Sequence, residues 1–137
     1  GFVNGDQQIE EFAKYQGFID AMGEYCADPG TLVMAAGDLA HVGPEFGDSE
    51  AYDEELLSAL SMEDHSSLAA VESSNGERFL SLSVQESDRR KICGLSPIYL
   101  MTKLIEGSKG ISVGYDQCPA DQEGSSVVSI AGTLLYG

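Results

Sequence analysis

The clearest hydrophobic pattern in the chain is an apolar run, Leu32 to Ala36, that ends at Gly37. Apolar and polar positions do not alternate in this run, which is typical of a strand buried on both faces of a parallel sheet. Asp38 and His41 follow directly. Because ligands in open α/β sheets bind just beyond the carboxyl ends of strands, these two side chains are the first candidates for a functional site.

Apolar residues at helical spacing predict several helices around this strand. The first helix carries apolar positions from Ile9 to Met22 behind an N-cap at Asp6, and the turn 27–30 ends it. Further helical stretches are predicted from apolar residues within 52–60, 68–71 and 79–82. We expect these helices to cover one flank of the sheet, with His65 as an exposed or capping residue.

A second informative stretch runs from Arg89 to Ile98. Ser96 and Pro97 predict a helix N-cap followed by proline at the first helical position, and the stretch from Gly107 to Gly110 ends that helix. Cys93 lies just before this start, where backbone N–H groups and the helix dipole favour a thiolate. The ordinary alternative is a buried structural cysteine.

Two strands are predicted at the end of the chain, an alternating one over 111–115 and a longer apolar one over 125–135. The polar linker 116–124 between them is expected to be a surface loop.

Composition narrows the choice of partners. Seven basic and 23 acidic residues give a net charge of −16, which disfavours nucleic acid and anionic membranes as partners. The sequence contains neither a bilayer-spanning apolar run nor a signal-peptide layout. Three cysteines without metal-knuckle spacing suit a reducing, cytoplasmic setting. A chain of 137 residues fits one domain, and its start without methionine suggests a piece of a longer protein.

Three motifs together resemble the carboxyl half of the MEMO protein family. They are AGDLAHVG at 36–43, ICGLSPI at 92–98 and SSVVSIAG at 125–132, and the resemblance extends over nearly the whole chain. That family is similar in fold to the class III extradiol ring-cleaving dioxygenases. The resemblance implies an α/β fold in which helices flank a mixed, mainly parallel central sheet, with residues 1–137 forming the carboxyl-terminal part of one domain.

The resemblance also implies a metal pocket at the strand ends. Cys93 matches a cysteine ligand, while His41 and Asp38 match a histidine and an aspartate beside it. In the related dioxygenases the histidine acts as acid and base on a phenolic substrate, and a carboxylate replaces the cysteine in a two-histidine iron site. The thiolate is softer and favours copper or zinc over a hard cation, so iron, copper and zinc all stay open.

The histidine ligands of the family belong to its amino half, and this chain has only His41 and His65. We therefore expect a missing amino-terminal segment of the same protein to supply them. From the residues alone, His41 could instead hold a loop by hydrogen bonds, and Asp38 could cap that loop or orient His41. Cys26 and Cys118 are interpreted as core or loop thiols, whereas Tyr99 and Tyr115 belong either to the core or to a pocket wall.

Three functions follow from this site. The first is a metal-dependent oxidoreductase that acts on an aromatic or other small molecule, with His41 as the proton-transfer group. The second is a non-enzymatic metal-binding or protein-interaction module. The third is a metal-dependent hydrolase, for which His41 is the only base that the sequence offers.

Overall fold

The computed structural model describes residues 7–137, with side chains described from residue 16 onward. Four helices and three strands follow one another along these residues. They are α1 (Gln7–Cys26), β1 (His41–Val42), a short 3-10 helix (Pro44–Phe46), α2 (Glu54–Glu72), α3 (Gly76–Gln85), α4 (Leu95–Leu104), β2 (Lys109–Pro119) and β3 (Val127–Tyr136). The predicted first helix is confirmed as α1, while its predicted N-cap, Asp6, lies outside the described residues.

The sheet has the order β1-β3-β2, and both of its strand pairs are antiparallel. β2 and β3 form a long hairpin whose register runs from Lys109 opposite Tyr136 to Pro119 opposite Val127, with an irregularity between Ser112 and Gly114. The prediction of two closing strands is confirmed, but the predicted loop 116–124 is wrong in its first part, because β2 continues to Pro119 in register with β3. The expected mainly parallel sheet is not found among the described residues, because the strands that meet there are connected as a hairpin and a short edge pair.

The predicted strand at 32–36 is wrong for this structure, although the chain does turn into the sheet a few residues later. No backbone hydrogen bond joins residues 32–37 to another described residue, and Leu32 and Met34 are 82% and 77% exposed. A strand buried on both faces needs paired neighbours at its edges and helices on both faces. The described sheet supplies neither at this position.

The predicted helices 52–60 and 68–71 are one continuous helix, α2. The side chain of Asp53 accepts a hydrogen bond from the N–H of Leu56 at 3.0 Å, which caps the start. α4 begins at Leu95 with Gly94 as its N-cap, so the predicted cap at Ser96 lies inside the first turn. Among the helices that the structure describes, none combines the length with the apolar composition needed to cross a bilayer.

The buried apolar residues form two clusters on the helical side of the sheet. The larger joins α2, α3 and α4 and consists of Ala70, Val71, Phe79, Leu80, Ile92, Leu95 and Tyr99. The smaller joins β1, α2 and β3 and consists of Ala40, Val42, Leu60 and Val127. Their members include Ile92 and Ala40, which are sequence neighbours of Cys93 and His41 respectively. A buried core residue therefore directly precedes each of these two site residues in the sequence.

Candidate metal centre

The structure brings together the three residues that the sequence singled out. One ligand atom each from Asp38, His41 and Cys93 lies within 4.8 Å of the other two. Asp38 and Cys93 are exposed and His41 is half-buried, so the group is accessible at the surface of the described chain. The thiol before α4 and the imidazole at the start of β1 therefore face the same space, as the resemblance implies.

Close backbone packing places Asp38 beside Cys93. A Cβ atom on Gly37 would lie 2.6 Å from the Cα of Gly94, and one on Gly94 would lie 2.8 Å from the carbonyl oxygen of Asp38. Neither distance is tolerable for a real side chain. Glycine at both positions therefore allows the segment after the apolar run to lie directly against the start of α4.

The sulfur of Cys93 lies against the main chain of Asp38. It accepts a hydrogen bond from the Asp38 N–H at 3.2 Å and lies 3.6 Å from the Asp38 carbonyl oxygen. The N–H of Gly94 donates to that same carbonyl at 2.9 Å. These contacts fix the sulfur relative to the Asp38 backbone, and its exposure removes the alternative of a buried structural cysteine.

His41 is held through both its backbone and its ring. Its N–H donates to the carbonyl of Arg90 at 2.7 Å, and its ring packs edge-on against Phe46 at a centroid distance of 5.1 Å. Nδ1 lies 3.3 Å from the Leu39 carbonyl, which can only accept, so the neutral imidazole carries its hydrogen on Nδ1 and has its lone pair on Nε2.

Asp38 does not supply the hydrogen bond that sets the His41 ring, since the Leu39 carbonyl occupies that role. Its carboxylate oxygen lies 3.9 Å from Nε2 of His41, an ion-pair distance when the ring is protonated. The carboxylate would thus stabilise an imidazolium after His41 takes up a proton.

An ion pair closes the loop that follows β1. The ammonium of Lys91 contacts Asp48, whose second oxygen accepts the N–H of Gly43 at 2.8 Å. Burial alone would raise the pKa of Asp48, but the Lys91 ammonium and the Gly43 N–H together hold that pKa below its ordinary value. Lys91 lies two residues before Cys93, so this pair ties the His41 loop to the Cys93 segment.

Sequence reasoning missed Arg90, which is 2% exposed and forms an ion pair with the fully buried Asp64 at 2.7 Å. The one signal available was its place in Arg89-Arg90-Lys91, the only basic cluster of a strongly acidic chain. A run of three basic residues ordinarily indicates a solvated surface. Spacing could not show that the middle residue points inward.

The other residues singled out in the sequence lie away from the three donors. Tyr99 is buried in the larger cluster, and its hydroxyl donates to Glu77 at 2.9 Å, so the core interpretation holds. His65 is exposed as predicted, with Nδ1 2.7 Å from the carbonyl of Ser61 one turn earlier. Cys26 and Cys118 are free, partly buried thiols.

A cleft of about 440 Å³ falls within the usual range of ligand pockets, and none of Asp38, His41 and Cys93 lines it. Its walls are uncharged, and they include both sequence neighbours of Asp38, Gly37 and Leu39. Other lining residues come from residues 31–35, α4 and β3, including Ile98, Met101 and Leu135. The cleft is not lined by Tyr99 or Tyr115, the two tyrosines considered as pocket-wall residues.

The three donors fit a transition metal ion. Ligand atoms around a tetrahedral ion with bonds of about 2.0–2.3 Å lie roughly 3.3–3.8 Å apart, so a 4.8 Å group closes with small side-chain rotations. The exposed side chain of Asp38 has room for such a rotation. One carboxylate, one imidazole and one thiol are a borderline set compatible with zinc, copper or iron.

The chain folds as helices packed on a sheet, which makes it an α/β protein. It carries a candidate metal-binding group, in which a carboxylate, an imidazole and a thiol converge near the start of β1 and the start of α4. The family model described as Memo-like protein matches residues 8–134, nearly the whole chain. The chain therefore belongs to the Memo-like family. A comparison with curated proteins gave no match.

Proposed function

We propose that this protein is a metal-dependent oxidoreductase that acts on a small molecule and is related to the extradiol dioxygenases. The observation that carries the proposal is the convergence of Asp38, His41 and Cys93 within 4.8 Å. The Cys93 thiolate would hold the metal, together with histidines from a segment outside this chain. A bound iron or copper ion would supply the redox chemistry and activate the substrate oxygen.

The chain's own residues have distinct roles in this proposal. Nε2 of His41 takes a proton from the substrate hydroxyl, since its lone pair is left available by the Nδ1 contact to Leu39. The Asp38 carboxylate, 3.9 Å away, stabilises the imidazolium that results. The uncharged cleft, which Gly37 and Leu39 on either side of Asp38 help to line, accommodates the apolar body of the substrate in this proposal, which suits an aromatic ring.

Metal analysis combined with substitution tests this proposal. We expect the purified protein to bind one Co²⁺ or Zn²⁺ ion, and Cys93→Ser to weaken binding by at least about 10–100-fold, the cost of losing even a supporting group. Cys118→Ser is the matched control, because the Cys118 thiol is also free but lies in β2 and does not belong to the group of three donors. Unchanged metal affinity in Cys93→Ser would refute the ligand assignment.

His41→Ala then separates proton transfer from metal binding. We expect this variant to keep its metal and to lose oxygen-dependent turnover of a catechol that the unaltered protein converts. Loss of the metal in His41→Ala would instead make His41 a ligand. Stoichiometric metal without turnover of any catechol or related phenol would favour the metal-binding module over the enzyme.

A further inference from the structure

A buried group of polar side chains lies beneath the segment that leads to Cys93. The Arg90 guanidinium donates to Asp64 at 2.7 Å, to Ser67 at 3.0 Å and to the two Glu86 oxygens at 2.8 and 3.0 Å. The second oxygen of Asp64 accepts the hydroxyl hydrogen of Tyr115 at 2.9 Å. We call these five residues the Arg90 cluster.

The Arg90 cluster joins four separate elements. Asp64 and Ser67 belong to α2, Glu86 caps the end of α3, Tyr115 belongs to β2, and Arg90 lies in the segment between α3 and α4. Each of the three guanidinium nitrogens has an acceptor, and each carboxylate oxygen of Asp64 has a donor. A planar guanidinium bound at three nitrogens fixes both position and orientation, which a lysine cannot do.

Burial within the Arg90 cluster affects the pKa of two of its members, Tyr115 and Glu86. Burial, together with the Asp64 carboxylate, raises the pKa of Tyr115 to about 12, so its hydroxyl remains a donor at neutral pH. Burial also raises the pKa of Glu86 by more than the Arg90 guanidinium lowers it. The Tyr115 hydroxyl therefore donates to Asp64 across the physiological pH range.

Stability alone does not account for such a cluster. A buried ion pair recovers its desolvation cost poorly, and well-packed apolar residues of similar volume are often as stable or more so. What the charged groups add here is a defined geometry.

The fixed atoms belong to the metal centre. The Arg90 carbonyl accepts the His41 N–H at 2.7 Å, and three residues later the sulfur of Cys93 contacts the main chain of Asp38. Between them, Lys91 adopts a left-handed conformation with φ of 49° and pairs with Asp48, while Ile92 is buried. The segment 90–93 thus spans the site from the imidazole to the thiol with each residue constrained.

We propose that Arg90 is a positioning residue for the metal centre, because its buried guanidinium sets the spacing between Cys93 and His41. This inference rests on the proposed function only in requiring that Cys93 binds a metal ion beside His41. It adds that metal affinity and coordination geometry depend on a side chain that does not touch the ion.

Co²⁺ titration of an apolar replacement tests the proposal. The double variant Arg90→Met/Asp64→Leu removes both members of the fully buried pair, so neither of these two charges is left buried alone. The Glu86 carboxylate loses Arg90 but is partly exposed and keeps its contact with Arg89. We expect Kd for Co²⁺ to rise by about tenfold, as is usual when a group that supports a ligand is lost. The thiolate-to-cobalt absorption band and the visible bands of Co²⁺ should also shift, which a loss of stability alone would not produce.

Two further variants keep the test decisive. Arg89→Met removes the same charge from the neighbouring residue. Its shorter side-chain contacts are to Glu63 and Tyr52, and it reaches the Arg90 cluster only through Glu86 at 3.4 Å, so this variant should leave Kd and the spectrum unchanged. Ser67→Ala removes a single acceptor from the Arg90 cluster and covers the case in which the double variant does not fold. We expect it to give a smaller rise in Kd, with Arg90→Lys between the two.

The outcomes distinguish the two proposals. If the unaltered protein binds no Co²⁺, both the proposed function and this inference are wrong. If it binds Co²⁺ and the folded Arg90 cluster variants match it in Kd and spectrum, the inference alone is wrong. If Arg89→Met changes the spectrum as much as the double variant does, general electrostatics accounts for the effect and the positioning role is refuted.

Discussion

The two halves of the stretch 32–42 differ sharply although they adjoin in sequence. Residues 38–42 are tied to the rest of the protein by hydrogen bonds from Leu39 and Ala40 to Ser129 and from His41 to Arg90. Residues 32–37 make no backbone hydrogen bond to any other described residue. Leu39 is 3% exposed, whereas Leu32 is 82% exposed.

This difference shows what holds the site in place. Both halves are rich in apolar and small residues, so composition does not separate them. The second half is fixed because Ser129 of β3 offers its carbonyl, its N–H and its hydroxyl to that half, and because the Arg90 carbonyl accepts the next N–H. Specific backbone partners, more than apolar character, decide which part of this stretch is hydrogen-bonded to the rest of the protein beside the site.

Of the substitutions that test this difference, Leu39→Ala is expected to lower the free energy of unfolding the most. Leu39 is almost fully buried and lines the cleft. Its truncation should lower the free energy of unfolding by about 2–5 kcal/mol, the usual cost of a buried leucine truncation. Urea denaturation followed by circular dichroism measures this change, and a loss below about 0.5 kcal/mol would show that the second half does not depend on burial.

A smaller loss of unfolding free energy is expected from Ser129→Ala. The Ser129 hydroxyl accepts the Ala40 N–H at 2.9 Å, and both residues are fully buried. Without that acceptor the N–H is left unpaired away from water, which costs about 1–3 kcal/mol. The same urea experiment measures it.

Ser112→Ala is the control for this substitution, because Ser112 is an exposed serine of the same hairpin. It should change stability by less than about 0.5 kcal/mol. Equal losses in the two serine variants would mean that the Ser129 hydroxyl does not support the site.

The sequence predicted the parts of this structure that depend on local pattern. The 3.6-residue spacing of apolar positions located all four helices, and the terminal apolar runs located β2 and β3. The site residues Asp38, His41 and Cys93 could be proposed because turn residues and a helix start flank them. Family resemblance then added the expectation that they meet, which the geometry supports.

What the sequence could not predict depends on contacts between distant segments. The run 32–36 has the composition of a buried strand, but a strand exists only where another backbone pairs with it, and pairing is not encoded in one segment. Arg90 has the composition of a surface residue, and its burial depends on Asp64, Ser67 and Glu86 being present from other helices. In both cases the partner, not the residue, determined the outcome.

The smallest effect is expected from Leu32→Ala, the counterpart of Leu39→Ala in the other half. With 82% of its side chain exposed, truncation removes little apolar surface that folding hides from water, so the free energy of unfolding should change by less than about 0.5 kcal/mol. The two leucine variants, measured under the same urea conditions, compare the same chemical change seven residues apart. A loss for Leu32→Ala as large as that for Leu39→Ala would mean that residues 32–36 are covered in solution, as their sequence pattern predicts, and that the contrast between the halves is wrong.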